Sequence, residues 1–202
     1  MGETTTAGPG PVMGRRERKK AATRKALADA ALELFLERGF DEVSIRDVAE
    51  AADVSTTTLF KHFPSKEALV FDLDADQEAA LVAAVRDRTP GTSIPRALRA
   101  HTLAARVFRA EYDEQITAFH RLINSTPALI EYYRRMWMRH ERALAETIAA
   151  DLGAPADDPA CAALAHFALE ARALAGTADP EAAVNAAFDL LEKGWEAVRP
   201  RS

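Results

Sequence analysis

The chain has almost no thiol: Cys161 is its one cysteine in 202 residues. A disulfide framework is thereby excluded and a reducing compartment is expected, with Cys161 fitting its alanine-rich stretch as a small buried residue. The opening residues, Met1 to Gly14, lack the apolar run of a signal peptide or a membrane span. They are rich in Gly, Pro and Thr and are expected to form a disordered tail, residues 1–14, on a cytoplasmic protein with no membrane partner. Excess positive charge is missing too. A net charge of −5 argues against coating nucleic acid without sequence preference. Catalytic signatures are equally scarce: no Gly-x-Ser-x-Gly elbow, phosphate-binding glycine loop or nucleophile–base pair occurs, so no enzyme is expected. His101, His120 and His140 are dispersed, without Cys or an HxxxH pair, so neither metal nor cofactor is expected.

What is present is apolar residues, 48 % of the chain, enough for a core in one domain or two small ones. Charge is unevenly placed. Arg15, Arg16, Arg18, Lys19, Lys20, Arg24 and Lys25 crowd one stretch opposed only by Glu17, whereas acidic residues prevail beyond Lys66. The basic cluster is either a solvated helix end or an arm for phosphates or a minor groove. High Ala and Arg usage points, compositionally only, to a GC-rich bacterial genome.

No segment alternates as a strand does, because Val, Ile and aromatic residues recur at helical spacing; the fold class is all-α. Leu27, Ala30, Ala31, Leu34 and Phe35 mark one buried helical face, and Gly39 follows as the stop. Ser44-x-x-Asp47 has capping-box spacing, predicting a helix over about 45–52. Asp53 falls where the chain turns sharply, and Asp tolerates left-handed backbone better than most residues. Ser55 then caps a short helix from Thr56 to Phe63, stopped by Pro64. Two short helices joined by about three residues read as a helix-turn-helix. Beyond it, Ser65 is expected to cap one longer helix through Leu69, Leu73, Leu81 and Val85 that links both halves as a lever. Ser93 with Pro95, Thr126-Pro127, Asp158-Pro159 and Asp179-Pro180 divide the remainder, for about nine helices in all.

The pieces AALELFLERGF, SIRDVAEAADVS and TTLFKHFPSKEAL lie within residues 15–73. Together this continuous stretch closely resembles the DNA-binding domain of the TetR family. The resemblance implies a three-helix DNA-binding domain, 15–66, and a ligand-sensing and dimerising helical domain, 67–202. It implies that Thr56 and Thr57 read bases, that Thr58 and Lys61 contact bases or phosphates, and that His62 and Lys66 match phosphate-contacting positions. Arg46 matches a position that reaches a base edge in some members. A recognition helix needs such short polar side chains flanked by cations. Other readings stay open: Ser44 and Ser55 as caps that can also bond phosphate, Arg46 and Lys66 as ordinary surface charges.

In the second half, Met136, Trp137 and His140 share one helical face, and Phe108, Phe119 and His120 lie on comparable faces of neighbouring segments. Such residues form either packed core or a mostly apolar ligand pocket with a few orienting polar groups; these six are the pocket candidates. The last two helices are alanine-rich, and Leu164, Phe167, Leu174, Val184, Phe188 and Leu191 are the candidates for a two-fold dimer interface, which this helix pair forms in the family. The expected function is therefore a homodimeric regulator, released from a near-palindromic double-stranded operator by a small, largely apolar effector. The alternative is a ligand-free helical protein-interaction module.

Overall fold

The architecture is described from a computed structural model, which covers residues 14–105 and 114–199. The expected tail, 1–13 of it, and Phe108 lie outside the described residues. The described chain is helical throughout and divides into two compact units, between Asp72 and Leu73.

In the first unit, α1 (Arg15–Arg38) buries Leu27, Ala28, Ala31 and Phe35 along one stripe. It ends where Gly39 takes φ 89°, a conformation costly for a side-chain-bearing residue. The basic cluster forms the exposed opening turns of this helix rather than a separate arm. The Ser44–Asp47 capping box is complete in both directions and starts α2 (Ile45–Ala51). Asp53 turns the chain at φ 51°, the one positive-φ residue besides glycine among those described. Ser55 caps α3 (Thr56–His62) through the Thr58 amide, 3.1 Å away. Phe35, Val43, Val48, Leu59, Phe63 and Leu69 form the core beneath these helices.

The long linking helix expected from Ser65 onward is not continuous. α4 (Glu67–Val70) stops at Phe71, and α5 (Asp74–Arg86) begins after a turn at 71–73. A tertiary bond meets the chain at the break: Arg24 Nη2 on α1 donates to the Asp72 carbonyl at 2.8 Å, giving that oxygen a partner outside the helical ladder. Leu73 is accordingly exposed, not on an inner face.

The second unit adds α6 (Ile94–Ala104), α7 (Glu114–Ser125), α8 (Pro127–Leu152), α9 (Pro159–Glu170), a 3-10 turn (Ala171–Gly176) and α10 (Pro180–Val198). With the extra break, the described residues hold ten α-helices rather than about nine. Ser93, Asp158 and Asp179 accept backbone N–H bonds as caps, whereas the Thr126 side chain caps nothing. The long α8 packs against α5, α7 and α9, and α10 packs on α6 and α9. Leu81, Val85, Leu98, Leu144, Ile148, Leu164, Val184 and Phe188 fill the space between. Arg88, just beyond the end of α5, bonds Asp151 on α8 twice at 2.7 Å.

This packing corrects half of the expected interface. Leu164, Val184 and Phe188 are buried inside the chain's own core, out of reach of a second copy. Leu174 and Leu191 are half-buried, and Phe167 is 57 % exposed. Leu190, not singled out from the sequence, is 73 % exposed.

Candidate DNA-binding surface and ligand cleft

On α3 the side chains of Thr56, Thr57 and Lys61 are exposed and that of Thr58 is half-exposed. The hydroxyls of Ser55 and Thr58 share a hydrogen bond of 2.9 Å. Ser44 is similarly engaged, its hydroxyl donating to Asp47 at 2.6 Å, so both serines act first as helix caps. Arg46 projects from α2 and pairs with Glu50 at 2.7 Å in full solvent. Such exposed pairs contribute little, so Arg46 is cheaply redirected to a phosphate.

Two cations and a histidine near α3 behave differently from their neighbours. Arg24 donates to the His62 carbonyl at 2.6 Å and to the Asp72 carbonyl, with its guanidinium 4.2 Å from the Phe63 ring centre. It is a clamp from the interior of α1 onto the ends of α3 and α4, a role that residue type alone, in so basic a stretch, did not reveal. The Lys66 ammonium donates to the Phe40 carbonyl and lies 4.2 Å from the Phe40 ring centre, within the domain's own fabric. Burial lowers its pKa. His62 is held below the ordinary imidazole value by burial and by the positive charges of Lys20 and Arg24. At neutral pH it is therefore an uncharged ring, able to donate one N–H but not to act as a cation.

In the second unit, a cleft of about 370 Å³ lies among α5, α6, α8, the end of α9 and the 3-10 turn. Two of the sequence candidates, Trp137 and His140, line it; Phe119, His120 and Met136 do not. Met136 is core, Phe119 is half-buried and His120 is exposed. The His140 Nε2 meets Asp74 Oδ1 at 2.7 Å, and Asp74 also accepts from Arg139 at 2.5 Å, so the histidine is oriented from α5. Two lining residues were missed as pocket candidates: His101, which burial and the Arg172 charge hold below the ordinary imidazole value, and Arg172 itself. Arg172 escaped notice because it sits in an alanine-rich stretch read as an interface. No group of three or more His, Cys, Asp or Glu side chains is placed to hold a metal ion among the described residues.

Residues 27–73 match the model of the bacterial regulatory proteins of the tetR family, and residues 92–198 match that of the MftR C-terminal domain. The chain belongs to the TetR family. TetR-family membership is carried by relatives over most of the length. TcmR of Streptomyces glaucescens, an HTH-type transcriptional regulator, is 34 % identical over 151 residues, 72 % of this chain and 67 % of that protein. MftR of Mycobacterium tuberculosis, named for regulation of mycofactocin biosynthesis, is 31 % identical over 145 residues, 70 % and 71 % of the two chains. Among solved structures, Salmonella enterica GusR shares the fold with a TM-score of 0.55 at 24 % identity, covering 85 % of this chain and 94 % of its own. The chain is thus a DNA-binding transcriptional regulator; its relatives are regulators, not enzymes, and they do not favour an interaction module. No helix among the described residues is long and apolar enough to cross a membrane.

Proposed function

We propose that this TetR-family protein is a homodimeric repressor that binds a near-palindromic operator through α2 and α3 and is released by a small molecule held in the α5–α6–α8 cleft. The observation that supports the DNA-reading assignment is the exposed Thr56–Thr57–Lys61 surface of a helix whose serine and threonine caps are already satisfied. Short hydroxyls reach base edges in a major groove, and Lys61 reaches the flanking phosphates. Arg46 and the N–H of uncharged His62 add backbone contacts, with Ser44, Ser55 and Thr58 at the helix starts. Lys66 acts from behind, holding Phe40 and the loop before α2. Two copies reading successive grooves require recognition helices roughly 34–36 Å apart. The exposed Phe167 on α9 and the half-exposed Leu174 and Leu191 supply apolar area for pairing two chains. An effector lowers operator affinity only by its preference for the non-binding arrangement of the dimer.

The test is selection of random duplex DNA by purified protein at fixed salt, beside the double variant Thr57→Ala, Lys61→Ala. Wild type is expected to enrich a near-palindromic motif that the variant fails to enrich. Sequence-indifferent binding that varies only with salt would sink the proposal.

A further inference from the structure

The effector cleft is chemically lopsided. Its walls are largely apolar, with Leu81, Leu98, Ala105, Ala168 and Leu169 among them. At one side stands Arg172, largely buried and 4.4 Å from the centre of the Trp137 ring. No carboxylate lies within ion-pair distance of this guanidinium among the described residues. Burial depresses its pKa, yet an arginine stays charged at neutral pH. The Tyr133 phenol lies near enough to favour its charge, while two other neighbours bring donors. His101 is uncharged, and the Trp137 Nε1–H is buried with no acceptor among the described residues. The acidic lining residue Asp76 is exposed and not within ion-pair distance of Arg172, and Asp74 is already engaged by Arg139 and His140.

Resting on the reading of this cleft as the effector site, we propose that it takes an organic acid, its apolar body against Leu81, Leu98, Ala168 and Trp137 and its carboxylate on Arg172. The three alternatives of head-group charge are not equivalent here. A wholly apolar guest would seal from water a guanidinium that no carboxylate among the described residues balances, and a buried, uncompensated charge is among the most unfavourable arrangements in a protein. An amine would set a second cation beside the first. A carboxylate forms a bidentate, charge-assisted pair with the guanidinium fork and offers further lone pairs to His101 and Trp137. The expected apolar effector is thereby refined to an amphipathic acid.

Decanoate, decanol and decylammonium share one chain and differ only in head charge, so they serve as probes, each titrated calorimetrically into the full chain below its micellar concentration. Wild type is expected to bind decanoate at least tenfold more tightly than either of the others. Arg172→Gln is expected to weaken decanoate about tenfold while leaving decanol within twofold, and Arg172→Lys to retain the preference for the acid. Equal binding of acid and alcohol, tighter binding of the amine, no binding of any probe, or an unchanged acid-to-alcohol ratio in Arg172→Gln would each overturn the proposal. The wild-type ranking needs no variant, so it decides the matter even where Arg172→Gln does not fold. DNA selection without any probe stays a separate readout: operator binding with no acid preference overturns only the acid, and acid preference without operator binding overturns only the repressor.

Discussion

Arg24 belongs to the most basic stretch of the chain and nonetheless turns inward, where two backbone carbonyls and the face of Phe63 receive its guanidinium. Charged hydrogen bonds to part-buried carbonyls contribute more than exposed ion pairs do. Arg24→Ala is therefore expected to destabilise the first unit by about 2 kcal/mol in urea unfolding. Lys25→Ala next to it, which loses only the exposed pair with Asp29, is expected to change stability by less than about 0.5 kcal/mol. Adjacent residues of the same charge thus have opposite fates, and nothing in their local sequence separates them. Arg172 repeats the lesson in the second unit. Exposure is the ordinary fate of arginine, so a buried one becomes visible only when the fold closes round it.

The helices themselves divide by how local their signals are. Gly39, the Ser44–Asp47 box, Asp53, Ser55 and Pro64 all act within one turn of their own position, which is why α1, α2 and α3 stand almost where the sequence places them. The break at Phe71–Leu73 has no such marker, and the side chain that bonds the carbonyl there lies 48 residues away along the chain. Apolar periodicity has the matching blind spot. It finds the buried stripes of α9 and α10 correctly but does not say whether the partner is the same chain or another, and Leu164, Val184 and Phe188 prove to face their own core. For the cleft, the helical spacing on α8 located Trp137 and His140, whereas Arg172 and His101 in the lining stayed hidden. The capping box offers a direct check at this scale. Ser44→Ala removes the acceptor for the Asp47 amide and the donor to its carboxylate, and is expected to lower stability by about 1 kcal/mol by chemical denaturation. Ser44→Asp, which keeps an acceptor, is expected to recover part of that loss.

For the whole molecule, the imidazoles set the response to mild acid. His62 in the first unit and His101 in the second both titrate below the ordinary value of 6.5 in the folded chain, chiefly because burial disfavours the charged ring. Unfolding then takes up protons, so their contribution is fully present above the unfolded value and is lost as pH falls through the lower folded values. His166 has the opposite sign, raised by its hydrogen bond to Glu141, but it is exposed and screened. The urea midpoint is therefore expected to decline between about pH 7 and pH 5, and to decline less in His101→Asn, with unfolding followed by circular dichroism at each pH. Cys161 has a different kind of consequence. It is fully buried, and burial with the nearby Asp158 pushes its thiol up to about 11, so it is neither accessible nor ionised at neutral pH. A cysteine engineered at an exposed site such as Ala150 would be the chain's sole target for a maleimide dye or nitroxide. Because the buried native thiol need not be removed first, pulsed spectroscopy on paired spin labels becomes a ruler between the two copies of the proposed dimer, with and without an added acid.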